Sequence, residues 1–406
     1  MNACRACLTA LLGLLAPALA HAAEAPVWHA DFVHETAVQL DDGDVGKFRN
    51  RFEPDLAWDL DAALRLTAAA RLLWDPAFEG FEREAALREM ILDWRGETVS
   101  IKAGLQQAVW GEASGFLSSF DVFHPRDLRE FVLPPFDFLR RPLWMLRIQR
   151  ELGDWNADVL WSPQRLVDRT PDPGEPFYAP TPPPAGASTV DGGREIDSGR
   201  FGLRLARTVG ALDLAAIYMR VPRSDAIFRR APTGAGALAE TELHRSFDVA
   251  GVSFARAFAR SVLRGEASLY HNRDYQLRES PGVARADQIN LVTGLDMTFL
   301  ADLEVTVEAG YRRVLEHTLA FAEPERRTTW LLQLRKPLVR DTVKLSFATI
   351  ANRRDGDSLL RLGIDWAADD RTTLSAGLDL FTGPPDSPFG RFRDRDRIYV
   401  GLAYRF

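Results

Sequence analysis

The sequence predicts an all-β protein, a transmembrane antiparallel β-barrel of about 18 strands in up-and-down order. Three observations predict this fold class. Apolar and polar residues alternate in segments along most of the chain, short and long connections alternate between those segments, and the last segment ends on Phe406. Because successive strand side chains point to opposite faces, each segment has one apolar and one polar face.

The N-terminal residues predict a secretory signal peptide. Arg5 precedes an apolar run over 6–20, and Ala20, His21 and Ala22 form the small-x-small pattern of a cleavage site. The run is short for a helix that crosses a bilayer, which argues against an uncleaved anchor. We therefore expect residues 1–22 to be removed and residues 23–406 to form a single barrel domain.

Composition excludes several classes of protein. Both cysteines, Cys4 and Cys7, lie in the predicted signal peptide, so no disulfide is expected beyond it. The net charge of −7 argues against nucleic acid as a partner. Beyond the signal peptide, no run of about 18 apolar residues predicts a membrane-spanning helix. We find neither a nucleophile with its base nor metal-ligand spacing, so we expect no enzyme activity and no cofactor.

The alternating segments define the expected strands. In the second segment, for example, Phe48, Phe52 and Leu56 share one face while Arg49 and Asp55 share the other. The expected strands lie near 28–40, 48–60, 64–74, 90–95, 99–105, 144–149, 155–161, 201–205, 212–218, 250–254, 263–269, 291–299, 303–311, 330–334, 343–347, 360–366, 374–380 and 398–406.

The connections predict the topology. Those near 61–63, 95–98, 152–155, 209–211, 256–260, 299–302, 336–341 and 368–371 are short. Those near 75–85, 110–142, 163–198, 222–244, 272–286, 316–328 and 382–396 are mostly long. This is the pattern of short periplasmic turns and long extracellular loops, with both termini periplasmic. A soluble all-β protein also alternates, but a single apolar face across so many strands is too wide to close around a filled core.

The stretch 110–142 differs from the segments around it. It is long, lacks strand alternation, is interrupted by Pro125, Pro134 and Pro135, and contains six phenylalanines. It is too apolar to be disordered, so we expect it to fold inward and lie in the lumen of the barrel. The stretch 163–198 is rich in proline instead, which predicts an exposed extracellular loop.

Mixed charge within 110–142 predicts the candidate site. In a narrow water-filled lumen, opposed carboxylates and guanidinium groups create a transverse field that selects polar or charged solutes. The alternative, left open, is that these charges pair and hold the loop against the wall. The candidate residues are Glu112, Asp121, Arg126, Asp127, Arg129, Glu130, Arg140 and Arg141 in the loop, with Lys102, Arg147, Arg65 and Arg71 on inward strand positions.

Residues 103–142 resemble an uncharacterised, porin-like family of Gram-negative outer-membrane barrel proteins. That family has a G-x-Q-x-x-x-W-G strand end followed by an acidic, proline-containing loop motif, and its usual Asn before the proline is His124 here. The matching residues are Gly104, Gln106, Trp110, Gly111, Asp121, Pro125, Arg126, Asp127, Arg129 and Glu130. The position of the loop, after the fifth strand, is also similar to that of the constriction loop of general porins.

These observations predict a passive outer-membrane channel for small polar or charged solutes, narrowed by the loop 110–142. The alternative is a barrel closed by this loop that serves an export or assembly system, or that binds a lipid-like or aromatic ligand. The expected partners are outer-membrane lipid and lipopolysaccharide. The final strand resembles the C-terminal pattern of outer-membrane barrels, which implies that the barrel assembly machinery recognises Phe406.

Overall fold

The computed structural model describes residues 25–78, 83–179, 189–197, 199–233, 237–278, 282–299 and 302–406. The predicted signal peptide, residues 1–22, lies outside this part of the chain. Among the described residues, no helix is both long and apolar enough to cross a membrane.

The regular structure of the described chain is β-strand, apart from one four-residue helix and one 3-10 turn, and long loops join some of the strands. The helix, α1, covers Phe136–Leu139, and a 3-10 turn covers Gly390–Phe392. The strands are β1 (Val27–Gln39), β2 (Val45–Asp59), β3 (Leu64–Trp74), β4 (Arg83–Arg95), β5 (Val99–Gln106), β6 (Leu143–Leu152), β7 (Trp155–Ser162), β8 (Thr189–Ile196), β9 (Arg200–Val209), β10 (Leu212–Pro222), β11 (Ile227–Pro232), β12 (Leu238–His244), β13 (Ser246–Ala257), β14 (Ser261–Gln276), β15 (Val283–Thr298), β16 (Glu304–Val314), β17 (Arg326–Leu338), β18 (Val343–Asn352), β19 (Asp357–Ala367), β20 (Thr372–Thr382) and β21 (Arg397–Arg405).

All strands except β8, β11 and β12 form one closed antiparallel barrel of 18 strands. Each barrel strand pairs with the next barrel strand in the chain, and β1 pairs with both β2 and β21, which closes the ring. Closure matters because in hydrocarbon every backbone N–H and C=O needs a partner. The predicted fold class, an up-and-down barrel of about 18 strands, is confirmed.

Short and long connections occupy opposite ends of the barrel, as the sequence predicts. Strand β1 begins and strand β21 ends at the short-turn end, where two-residue turns join β6 to β7 and β9 to β10. The other end carries the long loops, although the connections 40–44 and 353–356 at that end are short. The sequence did not predict the turn at 353–356.

Two β-bulges explain where the predicted strands are too short. In β4 the register shifts so that Ala69 faces Glu89 and Ala70 faces Leu87, which leaves Arg88 between them. Alternation therefore changes parity at Arg88, and the sequence pattern detects only 90–95. A second register shift, between Tyr270 and Arg273, lets β14 continue to Gln276.

The inner face of the barrel is not uniformly polar, and this corrects the expectation of a charged inner face. On β10 the inward residues Ala215, Ile217, Met219 and Val221 are all buried and apolar, while Leu214 and Tyr218 face outward. Strand β13 likewise turns buried Phe247 and Val249 inward. These two strands are apolar on both faces because something inside the barrel packs against them.

Strands β8, β11 and β12 form a separate three-stranded sheet within two of the long loops. β11 pairs with β12 in antiparallel fashion, and β12 pairs with β8 in parallel. The sheet thereby joins the connection between β7 and β9 to the connection between β10 and β13. The predicted proline-rich loop 163–198 contains β8, its residues 180–188 and 198 lie outside the described part, and its Phe177 is buried.

Candidate functional site

The segment 110–142, called the lumen loop below, lies across the inside of the barrel. Its polar atoms contact inward-facing side chains of β2, β4, β7, β14, β16, β19 and β21, which are spread around the ring. A segment that only lined one wall could not reach all of these strands.

Two wall carboxylates bind the descending part of the lumen loop. One oxygen of Glu266, on β14, accepts hydrogen bonds from the backbone N–H groups of Glu112 and Ala113 at 2.8 and 2.9 Å. The other accepts from the backbone N–H of Ser119 at 2.7 Å. Glu308, on β16, accepts from the backbone N–H and the hydroxyl of Ser114. We call Glu266 and Glu308 the glutamate anchors. Each carboxylate accepts hydrogen bonds from backbone N–H groups that would otherwise need water, because this segment has no regular structure.

A second anchor lies near the long-loop end of the barrel. Here the lumen loop supplies the carboxylate and the wall supplies the cations. Glu130 belongs to the lumen loop and is buried, with 1% of its surface exposed. It forms ion pairs with Arg49 and with Lys47 on β2, the latter at 2.9 Å, and Arg397 on β21 lies 3.7 Å away. Burial alone would raise the pKa of Glu130, but these cations hold it well below its ordinary value.

The remaining loop charges also pair with one another. Asp121 accepts a bidentate pair of hydrogen bonds from Arg140 at 2.8 and 3.0 Å and lies 3.3 Å from Arg126. Arg129 contacts Asp127 within the loop and Glu84 on β4, at 2.5 and 2.8 Å. These pairs fix the fold of the loop.

His124 holds the loop through a defined tautomer. The backbone N–H of Ala108 lies 2.9 Å from Nε2, which therefore accepts, and Nδ1 donates to the carbonyl of Arg141 at 3.1 Å. Burial lowers the pKa of His124 to about 4, so the ring stays neutral near pH 7.

The aromatic residues of the lumen loop form two internal cores. Trp110, Phe120 and Phe123 pack against the apolar inner wall of β6, β7, β10 and β13, and the Trp110 indole donates to Asp158 at 3.0 Å. Gly202 on β9 makes room, since a Cβ there would lie 2.7 Å from the Trp110 ring. The second core joins loop residues to the long loops over the mouth: Leu133 and Phe138 pack with Leu73, Phe78, Phe177, Leu359, Phe381, Phe389 and Phe392.

The predicted site residues fall into two groups. Asp121, Arg129, Glu130 and Arg140 are buried and ion-paired, so they hold the loop in place, as in the alternative interpretation of the sequence. Of the rest, Arg71 is also buried, with 8% of its surface exposed, whereas the others are partly exposed. Arg147 pairs with Asp158, Arg71 with Glu53, Lys102 with Asp93 and Arg65 with Asp59, while Glu112, Arg126, Asp127 and Arg141 lie on the loop.

Sequence analysis missed the wall residues that face the loop. Glu266, Glu308, Arg312 and Arg327 all occupy inward positions on the C-terminal half of the barrel. Their alternation shows that they point inward, but many other charged residues share that property. The loop partners of Glu266 and Glu308 lie about 150 to 190 residues away in sequence, and no local pattern signals such a contact.

Space remains on one side of the lumen loop. A cavity of about 340 Å³, called the side cavity, lies between the loop and the inner wall of β14 to β18. A cavity of about 650 Å³ among the long loops, called the outer cavity, shares Arg327 and Pro388 with it. A third, of about 500 Å³, opens toward the short turns beneath Glu112. The side and outer cavities are therefore neighbours that share two wall residues.

The comparisons with known proteins agree with this architecture. A family profile described as "Protein of unknown function (DUF1302)" matches residues 83–336. No curated protein matches the chain.

Among solved structures, the chain is similar to OccK8 (OprE) of Pseudomonas aeruginosa, with a TM-score of 0.55 and 9% identity, covering 94% of this chain and 98% of that one. OprD of the same organism gives a TM-score of 0.54 at 8% identity, and the match covers 94% of both chains. OccK11 (OpdR), also of Pseudomonas aeruginosa, gives a TM-score of 0.53 at 10% identity, and the match covers 94% of this chain and 96% of that one. At these identities the likeness concerns the fold, which is that of outer-membrane porins.

Proposed function

Because the chain belongs to the DUF1302 family and folds as an 18-stranded porin-like barrel, we propose that it is an outer-membrane channel for passive diffusion of small polar or charged solutes. The lumen loop narrows the path. No step of this function is enzymatic.

The observation that carries the proposal is the way the lumen loop is held. A ring of 18 strands encloses more space than inward side chains fill. The glutamate anchors and the buried Glu130 cluster hold the loop across that space, and the side cavity stays open beside it. A fixed obstruction with open space at one side is compatible with a selective channel.

Several charges of the predicted site are buried in ion pairs. We therefore assign ion selectivity to residues other than those that the sequence alone suggests. Arg129 and Glu130 are almost inaccessible, so their charges act on a solute only through the loop conformation. Arg126 keeps 26% of its side chain exposed, and the wall arginines Arg312 and Arg327 line the side cavity. We propose that these three set the field that a solute meets.

The location and partners belong to the same proposal. The signal peptide, cleaved near Ala22, directs the chain out of the cytoplasm, and the apolar outer face contacts outer-membrane lipid while the long loops face lipopolysaccharide. The last strand carries its terminal aromatic Phe406 into contact with Tyr404, with ring centroids 5.0 Å apart. We propose that the assembly machinery binds this strand before it pairs with β1.

The test is conductance in planar bilayers. Purified protein should give stepwise ion currents, and deletion of 112–138 should raise the current per channel. The variant Arg126→Ala should shift ion selectivity toward cations, because it removes a partly exposed positive charge of the lumen loop. If neither wild type nor the deletion variant conducts while both run as folded, heat-modifiable barrels, the channel proposal is wrong.

A second function is favoured by the two aromatic cores. Phe120, Phe123, Phe138 and their neighbours make the loop a packed plug rather than a solvated strand. A closed barrel of this kind would serve an export or assembly system, or hold a lipid-like ligand. Current that appears only after deletion of 112–138, and never in wild type, would favour this function.

A further inference from the structure

We infer that the side cavity is a binding site for small amphipathic carboxylates, whose carboxylate contacts Arg312 and whose apolar part lies against phenylalanine rings of the lumen loop. This inference rests on the proposed channel and specifies its solute class. It follows from the contrast between the two walls of the side cavity.

The wall formed by the barrel is basic and polar. Arg312 on β16 and Arg327 on β17 are direct register partners on the inner face, beside Asn290, Thr329 and Asn352. Like charges directly opposite each other destabilise a sheet, so folding alone does not favour this pair. Among the described residues, none that lines the side cavity is acidic.

Arg312 has a free edge of the shape that carboxylates prefer. Its Nη1 atom pairs with Glu323 at 3.0 Å, but its buried Nε and Nη2 atoms have no hydrogen-bond partner among the described residues. In Arg140 and Arg147 of this protein, the same Nε and Nη2 edge binds the carboxylates of Asp121 and Asp158 in bidentate fashion. Buried guanidinium donors without partners are costly, and a bidentate carboxylate satisfies both.

The wall formed by the loops is apolar. The rings of Phe116 and Phe389 stack with centroids 6.1 Å apart, and Phe131 meets Phe389 edge to face at 5.8 Å. Together with Leu117 and Val132 they form a continuous apolar surface of the side cavity. A ring or short alkyl group removed from water there gains about 25 cal/mol for each Å² buried.

Size and access fit the same class of ligand. A volume of about 340 Å³ lies at the lower end of the range for small-molecule sites, roughly 300 to 1,000 Å³. The adjoining outer cavity has five arginines, Arg223, Arg278, Arg327, Arg354 and Arg391, against the three acids Glu323, Asp355 and Asp386. Net positive charge in this neighbouring cavity raises the local concentration of anions beside the side cavity.

The experiment uses benzoate as probe, with acetate lacking the apolar ring and benzyl alcohol lacking the charge. In planar bilayers with wild-type protein, millimolar benzoate should reduce the chloride current at concentrations at least tenfold lower than acetate, and benzyl alcohol should have no effect. Calorimetry on the detergent-solubilised protein should detect benzoate binding with the same preference.

The variants test Arg312 directly. Arg312→Gln should weaken benzoate binding at least tenfold, and Arg312→Lys should weaken it several-fold although the charge is retained, because Lys has no bidentate edge. The matched control is Arg313→Gln, which changes the neighbouring, exposed arginine paired with Glu325. Heat-modifiable mobility checks that each variant folds.

The outcomes separate this inference from the channel proposal. Equal effects of benzoate and acetate, or unchanged benzoate binding in folded Arg312→Gln, overturn the inference even if wild type conducts well. Absence of any conductance overturns the channel, whereas benzoate binding that is lost in Arg312→Gln still supports the site.

Discussion

The glutamate anchor Glu266 offers the sharpest test of how the lumen loop is held. Its carboxylate accepts three backbone N–H groups, those of Glu112, Ala113 and Ser119, besides two serine hydroxyls. Hydrogen bonds to a charged group contribute about 1.5 to 3 kcal/mol each, so the three backbone bonds supply at most about 5 to 9 kcal/mol to docking. Glu266→Ala should therefore release segment 112–119 from the wall.

Two assays should report the release of this segment. Glu266→Ala should carry a larger and noisier current than wild type, and chymotrypsin should cleave after Phe116 or Phe120, sites that are protected while the segment is docked. Glu266→Gln should give an intermediate result, because one carbonyl oxygen remains while the new amide group opposes the Ser119 N–H. The control is Glu304→Ala, a 56% exposed glutamate whose ion pair with Arg335 is a loose 3.8 Å. If folded Glu266→Ala keeps wild-type current and chymotrypsin resistance, the loop is not held in this way.

Three further predictions follow from single contacts. Because burial lowers the pKa of His124 to about 4 from 6.5, the unfolded or undocked state binds more protons between these values, and docking weakens by up to about 3 kcal/mol as pH falls from 6.5 to 4. Chymotrypsin cleavage of the loop should rise over that window, and His124→Asn should abolish the dependence; flat cleavage in wild type would contradict it. Gly202→Ala should displace the Trp110 ring and lower stability by about 1 to 3 kcal/mol, seen as a lower unfolding midpoint in detergent, and an unchanged midpoint would argue against the contact. Phe406→Ala should leave the stability of the folded barrel nearly unchanged, since this side chain is 64% exposed, yet reduce several-fold the amount of folded protein in the outer membrane; equal amounts would remove its assembly role.

Local alternation was enough to predict the barrel because lipid requires every barrel strand to have an apolar outer face. Where a bulge interrupts the alternation, the predicted strand is too short, and where the loop packs on the wall, the predicted polar inner face is wrong. Arg88 shifts the register of β4, and β14 continues past a bulge, so both strands are longer than expected. On β10, Leu214 faces outward as expected, but inward Ile217 and Met219 are apolar, because they pack against the lumen loop.

The site was less accessible to sequence analysis for a different reason. The composition of the loop shows that it carries both charge and aromatic rings, but not which charges are consumed by pairing. Glu130 is neutralised by Lys47 and Arg49, about 80 residues earlier, and Ser114 is bound by Glu308, 194 residues later. Only the closed ring brings these groups together, so neither partner predicts the other.

The partners of the lumen loop also constrain how the protein is made. The carbonyl of Leu133 accepts a hydrogen bond from Arg361, 228 positions further along the chain. Glu130 instead pairs with Arg49 on β2, a strand that is synthesised before the loop. Contacts of such long sequence separation form late, since the chain loses much entropy before they are made. Until the final strands are in place, the loop lacks the contacts that Arg361 and Arg397 supply. We therefore expect docking of this loop to be completed together with the joining of β21 to β1, so slow maturation is the first symptom to expect when either is impaired.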